Sequence, residues 1–378
     1  MKDRKRLRRR ILPLLAVLML LSAAAPGALA SGSWMTFTMD SVPENLGFLV
    51  QEYTGTVRVT FLGDCTLGGE EKSRKYVRGF DQTIGRNGYA WPFRNLTALT
   101  AEDDLTVANL EGVLSDGELK KVEKTYNFLG TAAYTEILKE GSVECVTLAN
   151  NHSRDYGAAG YRDTVKALQE AGVAYFGTDS MAVWRSDEGL MIGFLGAATH
   201  LSGDRYKEHQ KQAALLKTLG CSVVITVMHA GQEYISEPGD YQKQIVRRTI
   251  ASGVDLVVGH HPHIVQGFEI SKGVPVVYSL GNCVFGGNIN PKDHDALVLR
   301  ADLAFEEGEL TGITLHFYPI SISGEADFND YSPVFLSGAD ADRVLQKMEK
   351  STGVSVGPFD SAEGAVVSVP VPAGSAGE

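Results

Sequence analysis

The chain has 378 residues, 44% hydrophobic and 21% charged, the balance of a folded protein with room for one large domain or two ordinary ones. Its 46 acidic against 35 basic side chains leave a net charge of −11, which excludes the basic footprint of a nucleic-acid-binding protein. An anionic substrate would need positive charge concentrated at its site, for example from metal ions.

The N-terminal "MKDRKRLRRR" carries seven Lys/Arg and one Asp, and the uncharged "ILPLLAVLMLLSAAAP" follows, with "ALA" at 28–30. A basic segment, an apolar segment and small residues in that order read as a secretory signal cleaved after Ala30. Retention of residues 1–30 as a membrane anchor is the alternative, since the apolar run approaches the ~20 residues that span a bilayer. Arg8-Arg9-Arg10 also fits a twin-arginine signal, though so Leu-rich a core favours the ordinary secretory route. The expectation is an exported protein, extracellular or at the cell surface. Cleavage would remove seven positive charges and one negative, leaving −17.

Residues 31–55 read as a polar linker or N-terminal extension, after which strand and helix patterns alternate. "TVRVTFLG" (56–63) is a strand ending at Gly63-Asp64, "WPFRNLTALTAEDD" (91–104) a short helix, and "LTVANLE" (105–111) a strand ending in polar residues. "TAAYTEILKEG" (131–141) is helical, and "VECVTLANNH" (143–152) again runs apolar and then polar. "AAGYRDTVKALQEAG" (158–172) is a helix closed by Gly172, with "VAYFG" and "LMIGFLG" as strands beyond it. The helix "YKEHQKQAALLKTLG" leads to the strand "CSVVITVMHAG" (221–231), and "GDYQKQIVRRTIASG" to "VDLVVGHHPH" (254–263). "VPVVYSLGN" (274–282) reads as one further strand. From about 295 the pattern is strand-like, and residues 321–378 form a C-terminal extension with one helix, "GADADRVLQKMEK", and a flexible Gly/Ser/Pro-rich tail. Continuous apolar strands alternating with helices mean an α/β protein with strands buried on both faces, its main domain spanning 56–320. The cysteines at 65, 145, 221 and 283 show no CxxC spacing and read equally as buried thiols or as two bridges.

Five separate apolar strands end in metal-ligand residue types: Asp64; Asn109 and Glu111; Asn150, Asn151 and His152; His229; and His260, His261 and His263. In open α/β sheets ligands bind outside the carboxyl ends of strands, so these residues can converge across the sequence. Imidazole with carboxylate and amide oxygens suits a divalent Mn, Fe or Zn ion. Each piece also has an ordinary reading. Gly63-Asp64 is a common strand-to-loop turn, Asn109-Leu110-Glu111 could cap a helix, and a lone His229 could be a satisfied core histidine. Pro262, with its fixed φ, would hold the histidines around it at a set spread. Of the neighbours, Glu233 could orient His229 or be a solvated loop acid. Arg154 could meet an anionic substrate or pair with Asp155. Asn282 could line the cleft or end a strand in a turn.

The segments "VTFLGDCTLGG", "DDLTVANLEG", "LANNHSRDYGAAGYRDTVKALQEAGVAYFGT", "VMHAGQEY", "GHHPHIVQGFEI" and "VYSLGNCVF" resemble, in order and spacing, the signatures of the bacterial CapA family of poly-γ-glutamate capsule synthesis and export, over roughly 56–320. That family is in turn similar to calcineurin-like metallophosphoesterases. The resemblance implies a four-layer α/β/β/α sandwich with two packed mixed sheets and a metal centre of one or two divalent ions at the strand ends. By this likeness Asp64, Glu111, Asn151, His229, His261 and His263 would bind metal, and His152 would face the leaving group with Asp155 orienting it. His260, Asn109, Asn150, Arg154, Glu233 and Asn282 would support the centre or meet substrate. Asp64-Cys65-Thr66 departs from the Asp-x-His that opens metallophosphoesterases, so one ligand is missing. Ser153 stands where an acid usually follows the Asn-His pair. Cys283 stands where Phe is usual in "SLGNF", "NLEG" lacks the Thr-rich continuation, and a Cys65–Cys283 bridge is conceivable. Two expectations follow. One is an exported metal-dependent hydrolase acting on a phosphoester or an anionic cell-surface polymer. The other is a non-catalytic accessory of polymer synthesis or export, working with membrane-bound capsule synthesis components.

Overall fold

Two mixed β-sheets stack face to face in the computed structural model, which describes residues 32–43, 53–199 and 201–371. The leader expected at 1–30 lies outside the described residues. The first sheet has seven strands in the order Gly32–Phe37, Met181–Ser186, Met191–Ala198, Val223–His229, Leu256–His260, Val274–Val277 and Phe268–Ser271. Its central pairings are parallel and its edges antiparallel. The second sheet has ten strands. Its antiparallel half runs from Gly364–Pro370 through Glu309–Ser321 and Asp295–Glu306 to Gly55–Thr66. Its parallel half continues through Leu105–Leu110, Cys145–Thr147 and Ala174–Phe176.

Three apolar clusters define four layers, α/β/β/α. Between the sheets, Val59, Phe61 and Val107 meet Phe194, Ile225 and Val258. On the outer face of the second sheet, Leu62, Ala108 and Val146 pack against Phe80, Leu138 and Leu168 from helices. On the outer face of the first, Leu195, Val224 and Val257 meet Ala213, Leu216, Ile245 and Val246. Adjacent residues such as Phe61 and Leu62 therefore serve opposite faces, and this is why the strands read as unbroken apolar runs. The helix Gly157–Ala171 ends at Gly172 in the left-handed region (φ 75°), which lets the chain turn straight back into the strand Ala174–Phe176. The helix Gly338–Thr352 sends Val344, Leu345 and Met348 into the cluster between the sheets.

Several local readings change. The run 274–282 is two strands in two sheets: Val274–Val277 belongs to the first, while Asn282–Phe285 pairs with Gly55–Thr66 in the second. Gly281 makes the crossing at φ 76°, and a Cβ on Gly63 would collide with its carbonyl oxygen. Hydrophobicity does not mark that switch because both halves are buried. Residues 91–104 contain only the single helical turn Thr97–Thr100. Part of the expected linker, Gly32–Phe37, pairs with Met181–Ser186, and Trp34 packs on Phe194 with centroids 5.3 Å apart. Part of the expected flexible tail, Gly364–Pro370, is a strand beside Glu309–Ser321. All four cysteines are free and buried; Cys65 and Cys283 interact as thiols without a bridge. No helix among the described residues is long and apolar enough to cross a membrane.

At the strand ends remote from the histidines, Asp103 and Glu144 both bind Thr106: Asp103 Oδ2 accepts from the hydroxyl and Glu144 Oε2 from the backbone N–H, each at 2.7 Å. Burial pushes each carboxyl up to about 7. A carboxyl raised in the folded state contributes stability below its unfolded pKa and loses it as pH rises through the folded value. Urea unfolding is therefore expected to give lower stability at about pH 8.5 than at about pH 5, with a smaller drop in Asp103→Asn. Equal drops in the two proteins would show that this pair does not set the dependence.

Candidate metal centre

The parallel strands of both sheets direct their carboxyl ends to one place. Asp64 lies near the end of Gly55–Thr66, Asn109 within Leu105–Leu110, and Glu111 just beyond it. Asn150, Asn151 and His152 follow the strand Cys145–Thr147. His229 and His260 are the last residues of their strands, and His261 and His263 occupy the loop after the second. That loop is strained, with φ of 99° at His261 and 57° at His263 on either side of Pro262. Non-glycine residues rarely take such angles, and they persist where surrounding contacts over-determine them.

Two groups of potential ligands share Glu111: Asp64, Glu111 and His263 form one, and Glu111, His229 and His261 the other, with ligand atoms within 4.8 Å of one another in each. His229 Nε2 is the hub of the second. It lies 3.5 Å from Glu111 Oε1, 2.7 Å from Asn151 Oδ1 and 3.1 Å from His261 Nδ1. In the first, His263 Nδ1 is 3.1 Å from Asp64 Oδ2 and 2.9 Å from Asn282 Oδ1. Asn109 Nδ2 donates to Asp64 Oδ1 at 2.7 Å and lies 3.2 Å from His229 Nδ1, so it ties the two sheets together rather than capping a helix. Asn150 Nδ2 in turn donates to Asn109 Oδ1 and to the Leu110 carbonyl, while Asn150 Oδ1 accepts from the His152 backbone N–H. His260 is buried, with Nδ1 3.4 Å from Asp64 Oδ1 and no hydrogen bond at that nitrogen.

The decisive atoms are those of Glu111. The residue is fully buried, yet neither carboxylate oxygen accepts a hydrogen bond. Burial, with the charge of Asp64, pushes its carboxyl up to about 8. Burial also disfavours charge on Asp64, but His260 and His263 beside it hold that carboxyl well below its usual range. His263 shows the counterpart: burial alone would lower it, and Glu111 and Asp64 raise it to about 10. His229 and His261 are lowered, first by burial and then by neighbouring histidines, and so present neutral rings. Buried carboxylates that pull a proton onto an imidazole, beside neutral imidazoles and an amide oxygen, form a donor set that fits a divalent cation. The residues present fit a divalent cation, with Glu111 common to both ligand groups.

Beside this cage, His152 Nδ1 lies 2.7 Å from Asp155 Oδ2, and Nε2 faces inward at 4.0 Å from Glu111 Oε1. Asp155 is saturated: it also accepts from Lys124 Nζ at 2.6 Å and from the Phe128 backbone N–H at 2.7 Å. The Phe128 ring stacks on His152 with centroids 4.2 Å apart. Burial lowers His152, in opposition to Asp155. Lys124 and Phe128 are absent from the sequence reading; they sit in an irregular segment with no periodicity, and only the Asp155 contact reveals them. Arg154 does not pair with Asp155. It lies 3.5 Å from Asp179 and over the Tyr161 ring. Glu233, exposed, groups with His261 and His263 rather than against His229. Asn282 ends no turn: it opens the strand Asn282–Phe285 and touches His263.

A sequence profile described as "Bacterial capsule synthesis protein PGA_cap" matches residues 58–287. The chain is similar to a "Capsule biosynthesis protein CapA" of Bacillus anthracis, 25% identical over 313 residues, covering 76% of this chain and 70% of that protein. It is also similar to a "PGA biosynthesis protein CapA" of Bacillus subtilis, 27% identical over 258 residues, with 62% and 65% covered. A "Probable polyglutamine synthesis accessory protein" of Mycobacterium tuberculosis is 27% identical over 248 residues, with 55% and 64% covered. The chain thus spans about two thirds of the length of these relatives. The matched region contains every residue of the cage from Asp64 to Asn282, and the chain belongs to the bacterial capsule synthesis protein PGA_cap family.

Proposed function

We propose that this is an exported, metal-dependent hydrolase of the cell envelope, acting on an ester or amide bond of an anionic polymer or on a phosphoester. The observation that carries the metal is Glu111, a buried carboxylate with neither oxygen hydrogen-bonded, ringed by Asp64, His229, His261 and His263. A buried carboxyl whose oxygens accept no hydrogen bond is costly unless a cation answers it. The envelope setting rests on the expected leader and on the capsule and PGA biosynthesis names of the relatives.

Asp64, Glu111 and His263 would hold one ion, and Glu111, Asn151, His229 and His261 a second. Such ions would supply Lewis acidity and countercharge for an anionic substrate. The chain's own residues do the rest. His152, with Nδ1 fixed by Asp155, presents Nε2 to the cleft, where it would give a proton to the departing oxygen or nitrogen. Lys124 donates to Asp155 Oδ1, and the Phe128 ring stacks on the imidazole and holds its plane. Asn109 and Asn282 lock the cage side chains before substrate arrives.

A second reading, a non-catalytic accessory with a structural ion, is favoured by Cys65-Thr66, which leaves the Asp64 position without the histidine of an Asp-x-His segment. The accessory name of the mycobacterial relative points the same way.

Elemental analysis of the purified protein separates the readings. About two Mn, Fe or Zn per chain are expected for the hydrolase and about one for the structural ion. The His261→Ala/His263→Ala variant is expected to lose the metal while keeping its circular dichroism; unchanged metal content would sink the assignment. Glu111→Gln should also lose metal, yet raise metal-free stability by about 1–3 kcal/mol at about pH 9, above the carboxyl's raised value of about 8, because it then removes a buried charge whose oxygens accept no hydrogen bond. A lower unfolding midpoint in chelator would contradict that account. His152→Ala is expected to retain metal and lower turnover of a generic phosphodiester by about 10²–10⁴-fold. Full activity in that variant would exclude the proton-transfer role.

A further inference from the structure

A third group of donors lies across the mouth of the cage. Glu233, His261 and His263 each bring one ligand atom within 4.8 Å of the others. Exposure falls from the Glu233 carboxylate inward, through 9% at His261, 5% at His263 and 1% at His229 to 0% at Glu111. Among the described residues no hydrogen bond and no salt bridge occupies that carboxylate.

The segment that carries Glu233 is fixed to the histidine loop. The Tyr234 backbone N–H donates to the Pro262 carbonyl at 2.9 Å, with Tyr234 held at φ 60°. Gly231, at φ 135°, lies so close that a Cβ there would be 3.0 Å from Pro262 Cγ. The Ile235 carbonyl accepts from Gln266 Nε2 at 2.8 Å. Two strained stretches thus hold each other, and such angles persist only where contacts over-determine them. The Glu233 backbone is therefore fixed beside His261 and His263, unlike that of a solvated loop.

These three donors do not make a third resident ion. A neutral imidazole offers one lone pair. His261 already serves the group with Glu111 and His229, and His263 the group with Asp64 and Glu111. An ion on Glu233, His261 and His263 draws on those same lone pairs, so the outer position fills only while an inner one does not. A position that shares two ligands with the final ones, yet excludes them, is a step on the way in. A hydrated cation bound for a buried cage has to exchange its waters for protein donors, and an exposed carboxylate beside two imidazoles lets it do so in stages. Asn151 is the other exposed donor at the cage, but a neutral amide exerts no comparable pull on a cation. Lys292, its Nζ 5.2 Å from the Tyr234 ring, adds a positive charge to the rim, which Glu233 counters.

We propose that Glu233, with His261 and His263, is the loading site through which a divalent cation enters and leaves the cage. The inference rests on the reading of the cage as a metal centre. A group touched only in passage stabilises entry and exit alike, so its loss slows both by the same factor and leaves the affinity where it was.

The test is stopped-flow uptake of Zn²⁺ by the metal-stripped full chain, release into excess chelator, and calorimetric affinity for the same ion. Glu233→Gln is expected to slow uptake and release about tenfold each, with the number of ions, the affinity and the melting temperature unchanged. Glu233→Asp, which keeps the charge, should recover most of the uptake rate. Weaker affinity with faster release in Glu233→Gln would make Glu233 a permanent ligand and overturn the proposal, as would rates equal to wild type. In both cases the metal centre stands. A wild type that takes up no Zn²⁺ removes the centre and the loading site together, whereas a chain that loads as expected and hydrolyses nothing loses only the catalytic reading.

Discussion

The burial of Glu111 beside Asp64 is the constraint on which the rest of the site depends. Two carboxylates out of contact with water repel each other and have lost their hydration, and neither effect is offset by hydrogen bonds to Glu111. Three responses are visible around them. The two carboxylates raise His263 to about 10, Asn109 donates to Asp64, and burial with the neighbouring histidines lowers His229 and His261 toward the neutral form. The hydrophobic layers make this arrangement durable. Strands buried on both faces cannot shift to admit water, so the carboxylates remain where the sheet twist and register put them.

The strained loop at His261–His263 follows from the same constraint. Its positive φ angles turn both imidazoles back over the strand ends, and the His261 backbone N–H lies 3.3 Å from Asp64 Oδ2. The contacts to Asp64, His229 and Asn282 compensate for that strain. On the opposite side the His152 arm is supported by a separate set of partners, Asp155, Lys124 and Phe128. The cage and the His152 arm are joined through Asn150, which bonds both Asn109 and the His152 backbone N–H, and His152 Nε2 lies 4.0 Å from Glu111 Oε1.

Much of this was legible in the linear sequence, for a definite reason. A strand buried on both faces is an unbroken apolar run, so the first polar residue after it marks the strand end, as at Asp64, Asn150 and His229. The same property hides other features. The chain leaves one sheet for the other between Val277 and Asn282 without any change in hydrophobicity, because both destinations are core. The edge strand Gly32–Phe37 and the strand Gly364–Pro370, covered on its outer side only by the two-residue Phe359–Asp360, look like extensions, because a sheet margin needs little apolar surface of its own. Lys124 carries no local signal, since a lysine in an irregular segment is ordinarily a solvated side chain.

The sequence alone determined an α/β chain with strands buried on both faces, the helix and strand alternation and the residue types available for a metal, since these follow from periodicity and from chemistry local to each strand end. Only the tertiary structure decided which of those residues meet. It placed Glu111 in both ligand groups, buried His260 against Asp64, moved Glu233 to His261 and His263, and turned Arg154 away from Asp155 toward Asp179. Such pairings depend on the register and twist of two sheets packed across their cores, and no single segment of the chain encodes that distance.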